Sequence, residues 1–246
     1  MKDIREVKRR DDKVNQVAYL YPDMKMFFIL VEPAVPGNIG AAARAIKTMG
    51  FSKLRLVNPC DHLSVESRML AHASHDVLEQ AFIYPTLQEA LSGIDLSIAT
   101  TAKTRDARVD YHRNTELPEL IRAKGDSIQT IGLVFGREES GLSNHEIQIC
   151  DLASTIPLKQ DYPSLNLSQA VMLYAYTLAG LPAKDHPGKA GFKESEYRVM
   201  MDKAGALLRN HKVDASPALY NRILERIALL EEGDIHLLLS VLGRLD

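Results

Sequence analysis

The amino-acid sequence predicts an α/β domain on a mostly parallel sheet, followed by a small helical appendage. Three observations carry that expectation. Short apolar runs recur without polar alternation, as in MFFILVE at 26–32 and QTIGLVF at 129–135. Runs of this kind suit strands buried on both faces. Helical patterns stand between them, as parallel crossovers require. Beyond residue 182 the strand-like runs stop, and apolar residues repeat at i, i+3, i+4, among them Leu219, Ile223, Ile227 and Leu230.

Taken in order, residues 1–24 are mixed-charge and lack apolar periodicity, so they read as an extension. Arg9, Arg10 and Lys13 there suit either a solvated tail or phosphate contact. The strand at 26–32 ends at Pro33 and Pro36, and a helix starts near Asn38. A second strand is expected at 53–58, a helix at 64–71 and a short strand at 82–84. Thr86 caps a helix to Leu91, and 95–100 (DLSIAT) is a strand. A helix at 116–123 leads to the strand 129–135. Ser143 caps a short helix at 144–149, and 152–156 is the last strand. The α/β domain spans 25–182. A turn-rich linker, DHPGKAG at 185–191, precedes a helical appendage at 192–246, with helices at 193–210, 216–230 and 234–242. That appendage packs on the domain or a second subunit, or else contacts RNA.

Composition narrows the function. With 46% hydrophobic and 25% charged residues the chain is globular. A net charge of −2 gives no general basic footprint, so nucleic-acid binding must rest on a local patch. Cys60 and Cys150 lie far apart, form no metal spacing and read as reduced thiols. No apolar run approaches the ~20 residues of a membrane span, and the N-terminus has no apolar core of a secretory signal. In AHASHD at 71–76, His72, His75 and Asp76 invite a metal reading, but no further ligand cluster accompanies them, and no metal is expected.

Three stretches carry the chemistry. The first is GNIGAAARAIKTMG at 37–50, directly after the first strand. The second is LVFGREESGL at 133–142. The third is PLKQDYPSLNLSQAVMLYAYTLAG at 157–180. In the third, Ser164 and Asn166 precede a long apolar helical pattern, and both residue types cap helices. By local chemistry this is either a capped helix start or a turn that reads a ligand. The turn after the first strand, PGNIG, lacks G-x-G-x-x-G, which excludes a dinucleotide-binding site of the doubly wound kind.

In this order the three stretches resemble the motifs of the SpoU branch of the SPOUT RNA 2′-O-ribose methyltransferases, and within it the TrmJ/LasT-like subgroup. The resemblance covers about residues 26–180. It implies a C-terminal trefoil knot in the sheet domain, a homodimer and S-adenosylmethionine as cofactor; the cytoplasmic location expected here follows from the reduced thiols. It implies RNA as substrate, tRNA first, with nucleotide 32 of the anticodon loop as the target in that subgroup. An rRNA substrate, or a catalytically silent RNA-binding protein on the same fold, is the alternative. By the same resemblance the cofactor positions are Thr100, Thr101, Ala102, Gly136, Ile156, Pro163, Ser164 and Leu165. Their types make sense there: Gly136 lets backbone approach a ligand without a Cβ, and Ile156 and Leu165 offer apolar surface to adenine. Taken alone, Thr100 to Ala102 are a strand end and Gly136 a turn.

The catalytic set implied is Arg44, Asn38, Glu138, Ser164 and Asn166. Arg44 suits an electrostatic stabiliser of a developing alkoxide and a clamp on a neighbouring phosphate. A guanidinium stays protonated near pH 7, which argues against a general base. Asn38 is expected to orient the ribose or Arg44. Glu138 is expected to pair with Arg44 or to hold the motif-two loop. Lys103, Arg105 and Arg108 form either a solvated loop or a contact for RNA phosphates. On the motif-one helix, Ala41, Ala42, Ala45, Ile46 and Met49 make an apolar stripe for a second copy or for the core.

Overall fold

The computed structural model describes residues 24–102, 110–159, 164–181 and 195–244. Arg9, Arg10, Lys13, Lys103, Arg105, Arg108 and Pro163 lie outside the described residues, as does the linker at 185–191. The strands are β1 (Lys25–Val31), β2 (Lys53–Val57), β3 (Phe82–Tyr84), β4 (Leu96–Thr101), β5 (Tyr111–Arg113), β6 (Thr130–Phe135) and β7 (Leu152–Thr155). They form one sheet, ordered β3-β2-β1-β6-β4-β7-β5, and every pairing is parallel.

Helices cover both faces. They are α1 (Pro36–Thr48), α2 (Val65–Ala71), α3 (His75–Glu79), α4 (Leu87–Ala90), α5 (Leu117–Ala123), α6 (Asn144–Gln148) and α7 (Leu167–Ala179). Residues 195–244 add α8 (Glu196–Asn210), α9 (Pro217–Ala228) and α10 (Glu232–Leu242). Pro36 sits in the first turn of α1, where its missing N–H removes nothing from the helix. Gly40 lets α1 lie directly on α2, because a Cβ there would come 2.0 Å from the Ser67 carbonyl oxygen.

Both faces of β1 and β6 are buried, which explains their unbroken apolar sequence. On one face Phe28, Phe135 and Tyr174 pack together, with ring centroids 6.3 Å apart for Phe28–Phe135 and 5.6 Å for Phe135–Tyr174. On the other, Ile29, Val31 and Val134 make a second cluster.

The structure departs from the sequence pattern in three places. β5 was not foreseen: its residues, Tyr-His-Arg, make no apolar run, and as an edge strand it pairs only with β7. The 72–76 segment, to which the sequence pattern assigns no element, holds a short 3-10 turn leading into α3. There Asp76 pairs with Lys47 at 2.7 Å, and His75 Nε2 contacts the Arg68 carbonyl at 2.9 Å. The helix expected at 116–123 starts at Leu117, behind a 3-10 turn. Of the two readings of the α1 stripe, the core one holds for Ala42, Ala45 and Ile46, which are buried within the chain.

Helices α8 to α10 join the sheet domain through a shared core that includes Tyr197, Met200 and Ile235. Polar contacts run along the same seam. Ser195 Oγ donates to the Ser127 carbonyl at 2.6 Å, Arg198 pairs with Asp151 at 3.5 Å, and Asp110 takes Arg222 and Arg226 at 2.9 Å each. Lys124 is 1% exposed. Its Nζ donates to the carbonyls of Ala228 and Leu230, at the C-terminal end of α9. A cation suits that end of a helix. Burial nevertheless pushes the Lys124 ammonium pKa down to about 8, against the opposing pull of Asp151 and Glu231.

Candidate active site

Strands β6, β4 and β7 are neighbours, so their C-terminal ends open side by side on one edge of the sheet. In parallel sheets that edge is where ligands bind. A cavity of about 310 Å³ lies there. Thr100, Thr101 and Ala102 reach it from the end of β4, Gly136 from β6, Ile156 from β7, and Ser164 and Leu165 from the approach to α7. Every described residue of the expected cofactor set therefore lines a single cavity. Thr100 contributes mostly as framework, since its Oγ1 donates to the Val134 carbonyl at 2.9 Å.

The motif-two loop closes one wall. A Cβ on Gly136 would come 2.2 Å from both Gly141 C and Leu142 N, so only glycine lets the loop fold back this tightly. The return is fixed by paired backbone hydrogen bonds: the Arg137 N–H donates to the Gly141 carbonyl at 3.3 Å, and Gly141 N–H to the Arg137 carbonyl at 2.9 Å. Arg137 and Glu138 then anchor the loop in different directions. Arg137 Nε donates to Glu32 at 2.8 Å, and its two terminal nitrogens hold Glu146 as a fork at 3.0 and 3.1 Å. Those two carboxylates raise the guanidinium pKa further.

Glu138 turns to motif one. Its carboxylate accepts from the backbone N–H groups of Ala34 (3.1 Å) and Val35 (3.3 Å) and from Asn38 Nδ2 (2.9 Å). Burial alone would raise this carboxyl's pKa. The hydrogen bonds from Asn38, Ala34 and Val35 outweigh it and hold the group below the usual carboxylate range. Asn38 Oδ1 in turn accepts from Asn166 Nδ2 at 2.9 Å. Glu138, Asn38 and Asn166, one residue from each motif, thus form one hydrogen-bonded chain.

Two expectations are corrected here. Glu138 does not pair with Arg44; it holds the motif-one turn through Asn38 and the two amides. Ser164 does not cap α7. Asn166 does: its Oδ1 accepts from Ser168 N at 2.8 Å, while its own N–H donates to Gln169 Oε1 at 3.1 Å. Ser164 instead lines the cavity.

Arg44 stands apart. It is exposed on α1, lines neither cavity, and has no hydrogen-bond or ion-pair partner among the described residues. It lies six residues beyond Asn38, roughly 9 Å along the helix axis at 1.5 Å per residue.

Several lining residues escaped the sequence reading: Arg137, Glu139, Leu142, Leu158 and Tyr174. Arg137, Glu139 and Leu142 lie inside motif two and were within reach of it. Tyr174 lies two turns into α7 and enters only because that helix packs over the sheet. A larger cavity of about 600 Å³ follows the seam between β7 and helices α8 and α9, and none of the motif residues lines it. The smaller cavity is the one with convergent chemistry.

Comparison with known proteins gives the same assignment. The SpoU rRNA Methylase family matches residues 25–176. The chain is 40% identical over 223 residues to the uncharacterized tRNA/rRNA methyltransferase LasT of Escherichia coli, covering 91% of this chain and 98% of that protein. It is 36% identical over 177 residues to the tRNA (cytidine/uridine-2'-O-)-methyltransferase TrmJ of Salmonella typhimurium, covering 71% and 72%. Among solved structures, TrmJ from Z. mobilis superposes with a TM-score of 0.63 at 27% identity, over 89% of this chain and 97% of that one. With all three motifs joined at one sheet edge and the family match spanning that whole domain, this chain belongs to the SpoU rRNA methylase family.

Proposed function

We propose that the protein is an S-adenosylmethionine-dependent 2′-O-ribose methyltransferase that acts on tRNA in the cytoplasm, with nucleotide 32 of the anticodon loop as target. The observation that carries this reading is the hydrogen-bonded chain Glu138–Asn38–Asn166 beside a cavity lined by Thr100, Gly136, Ile156, Ser164 and Leu165. The 2′-O-methyltransferase names of the TrmJ relatives support the reaction type.

The cavity suits the cofactor. Ile156, Leu158 and Leu165 offer apolar walls for adenine, and the carboxylates of the motif-two corner suit a cation. Bound there, S-adenosylmethionine supplies an electrophilic methyl group. The remaining work falls to the chain's own groups. Asn166 and Asn38 are held rigid by their mutual hydrogen bond and by Glu138, so they present fixed amides to the ribose. Arg44 keeps its donors free of other described residues, as a group that clamps an RNA phosphate and faces the developing alkoxide should. The hydroxyl proton leaves to phosphate or to water.

We further propose a homodimer in which Arg44 serves the cavity of the second copy. Its absence from its own chain's cavity supports this, as do the exposed Leu173 and Tyr176 on α7, which packs against α1. A knotted chain end is proposed on the position of β7, the last strand in sequence yet flanked on both sides within the sheet.

The function is tested by nucleoside mass spectrometry of tRNA after incubation with the protein and S-adenosylmethionine. A new 2′-O-methylnucleoside at position 32 is expected. No 2′-O-methylation of any tRNA or rRNA, despite measurable cofactor binding, would overturn it. Light scattering at micromolar concentration tests the dimer, and a monomer there ends that proposal. Stretching a single molecule by its two ends should stop short of full contour length; complete extension rules out the knot.

A further inference from the structure

The motif-two corner gathers one guanidinium, Arg137, with four carboxylates, Glu32, Glu138, Glu139 and Glu146. Arg137 is shared between Glu32 and Glu146. Glu138 is satisfied by neutral donors alone, so its charge is hydrogen-bonded but not cancelled. Glu139 is different again. It is exposed, it lines the cavity, and among the described residues it has neither a hydrogen-bond nor an ion-pair partner. Among the described residues of this chain, the cavity wall therefore carries uncompensated negative charge, and Glu139 is the part of it not engaged in holding the fold.

From this arrangement we infer that Glu139 is a specificity-determining residue that makes the cavity favour its cationic methyl donor over the neutral-sulfur product. The inference rests on reading the cavity as the S-adenosylmethionine site. Methyl transfer breaks the S–CH3 bond with both electrons going to sulfur, forms the O–CH3 bond and releases the hydroxyl proton. The ligand left behind, S-adenosylhomocysteine, has lost one positive charge and kept its adenosine and amino-acid groups. An electronegative wall attracts the first ligand more than the second. Its hold thus weakens when the reaction is complete, which aids product release.

The size of the effect follows from Coulomb's law. A carboxylate lining the same half-solvated cavity as a sulfonium changes affinity by roughly three- to tenfold. Screening should shrink it as ionic strength rises from about 50 to about 500 mM.

The experiment is calorimetric titration of the full chain with each ligand, in wild type and in Glu139→Gln. Glutamine keeps the shape and removes the charge, and the exposed position leaves folding undisturbed. Glu139→Gln is expected to weaken S-adenosylmethionine by roughly three- to tenfold and S-adenosylhomocysteine by less than about twofold. Glu139→Lys should widen that difference, and added salt should shrink it. Equal weakening of both ligands, or no change in either, overturns the inference while leaving the cofactor site intact. If wild type binds neither ligand, the reading of the cavity fails and the inference falls with it.

Discussion

The motif-two corner and the helical seam are both held by charged groups, but the fold treats those charges in opposite ways. At the corner, Arg137 and Glu138 are driven further toward their ionised forms, by carboxylates in one case and by amide donors in the other. At the seam, Lys124 is driven away from its ionised form, because burial outweighs the pull of Asp151 and Glu231. The corner keeps partial contact with solvent, with the Arg137 side chain 28% exposed, whereas Lys124 is 1% exposed. The contrast teaches that ionic groups beside the cavity are positioned where charge is favourable. The seam takes a charge into its interior for the sake of the carbonyls it satisfies. Unmet, those carbonyls would cost about 1–3 kcal/mol each.

The sharpest way to break this comparison is at a charge that belongs to neither region. Arg44→Ala should lower single-turnover methylation by roughly 10²–10³ while S-adenosylmethionine affinity, measured by calorimetry, stays the same. Arg44→Lys should recover little, since a point charge does not reproduce the planar fork. Full activity in Arg44→Ala would remove this residue from the reaction.

At the corner, Glu138→Gln should lower stability by about 1–3 kcal/mol, because its amide NH2 then faces either the Ala34 N–H or the donors of Val35 and Asn38. The pH dependence fixes the cause. Glu138 has a folded pKa below its unfolded value, so its contribution is complete above about pH 4.3 and is lost as pH falls through the lower folded value. The gap between wild type and Glu138→Gln in urea denaturation should therefore close in acid. A gap that persists in acid would point to shape and not charge.

The seam should respond at the other end of the scale. Lys124 has a folded pKa of about 8, below the unfolded value of about 10.4. Between these values the unfolded chain binds more protons, so stability rises with pH. Relative to Lys124→Met, wild type should gain up to about 1.4 kcal/mol per pH unit over that window. Parallel curves for the two proteins would show that the ammonium is better solvated than its burial implies.

The smallest expected effects separate two neighbours that look alike in sequence. Asn166→Ala removes the α7 cap and should cost about 1 kcal/mol of stability. Ser164→Ala should leave the melting temperature alone and weaken S-adenosylmethionine a few-fold, because this serine lines the cavity and caps nothing. Exchanged outcomes would reverse the assignment.

The α/β class, the long buried strands β1 and β6, and the positions of the three motifs are legible along the chain. Those features depend on local apolar patterning and local turn chemistry, which neighbouring residues carry. The sequence also pointed to residues that line the cavity, since the motif resemblance names residues one at a time. Only the tertiary structure decided what each group faces. Glu138 lies 100 residues from Asn38 and 104 from Ala34, and nothing near it in the chain says that it would meet them before Arg44. The same holds for β5, whose three residues become a strand only because β7 offers an open edge. Lys124 reads as a surface lysine until the end of α9, 104 residues later, covers it. Hydrogen bonds and burial between distant segments are properties of the packed chain, and a pattern along the chain cannot encode which of several compatible partners lies within reach.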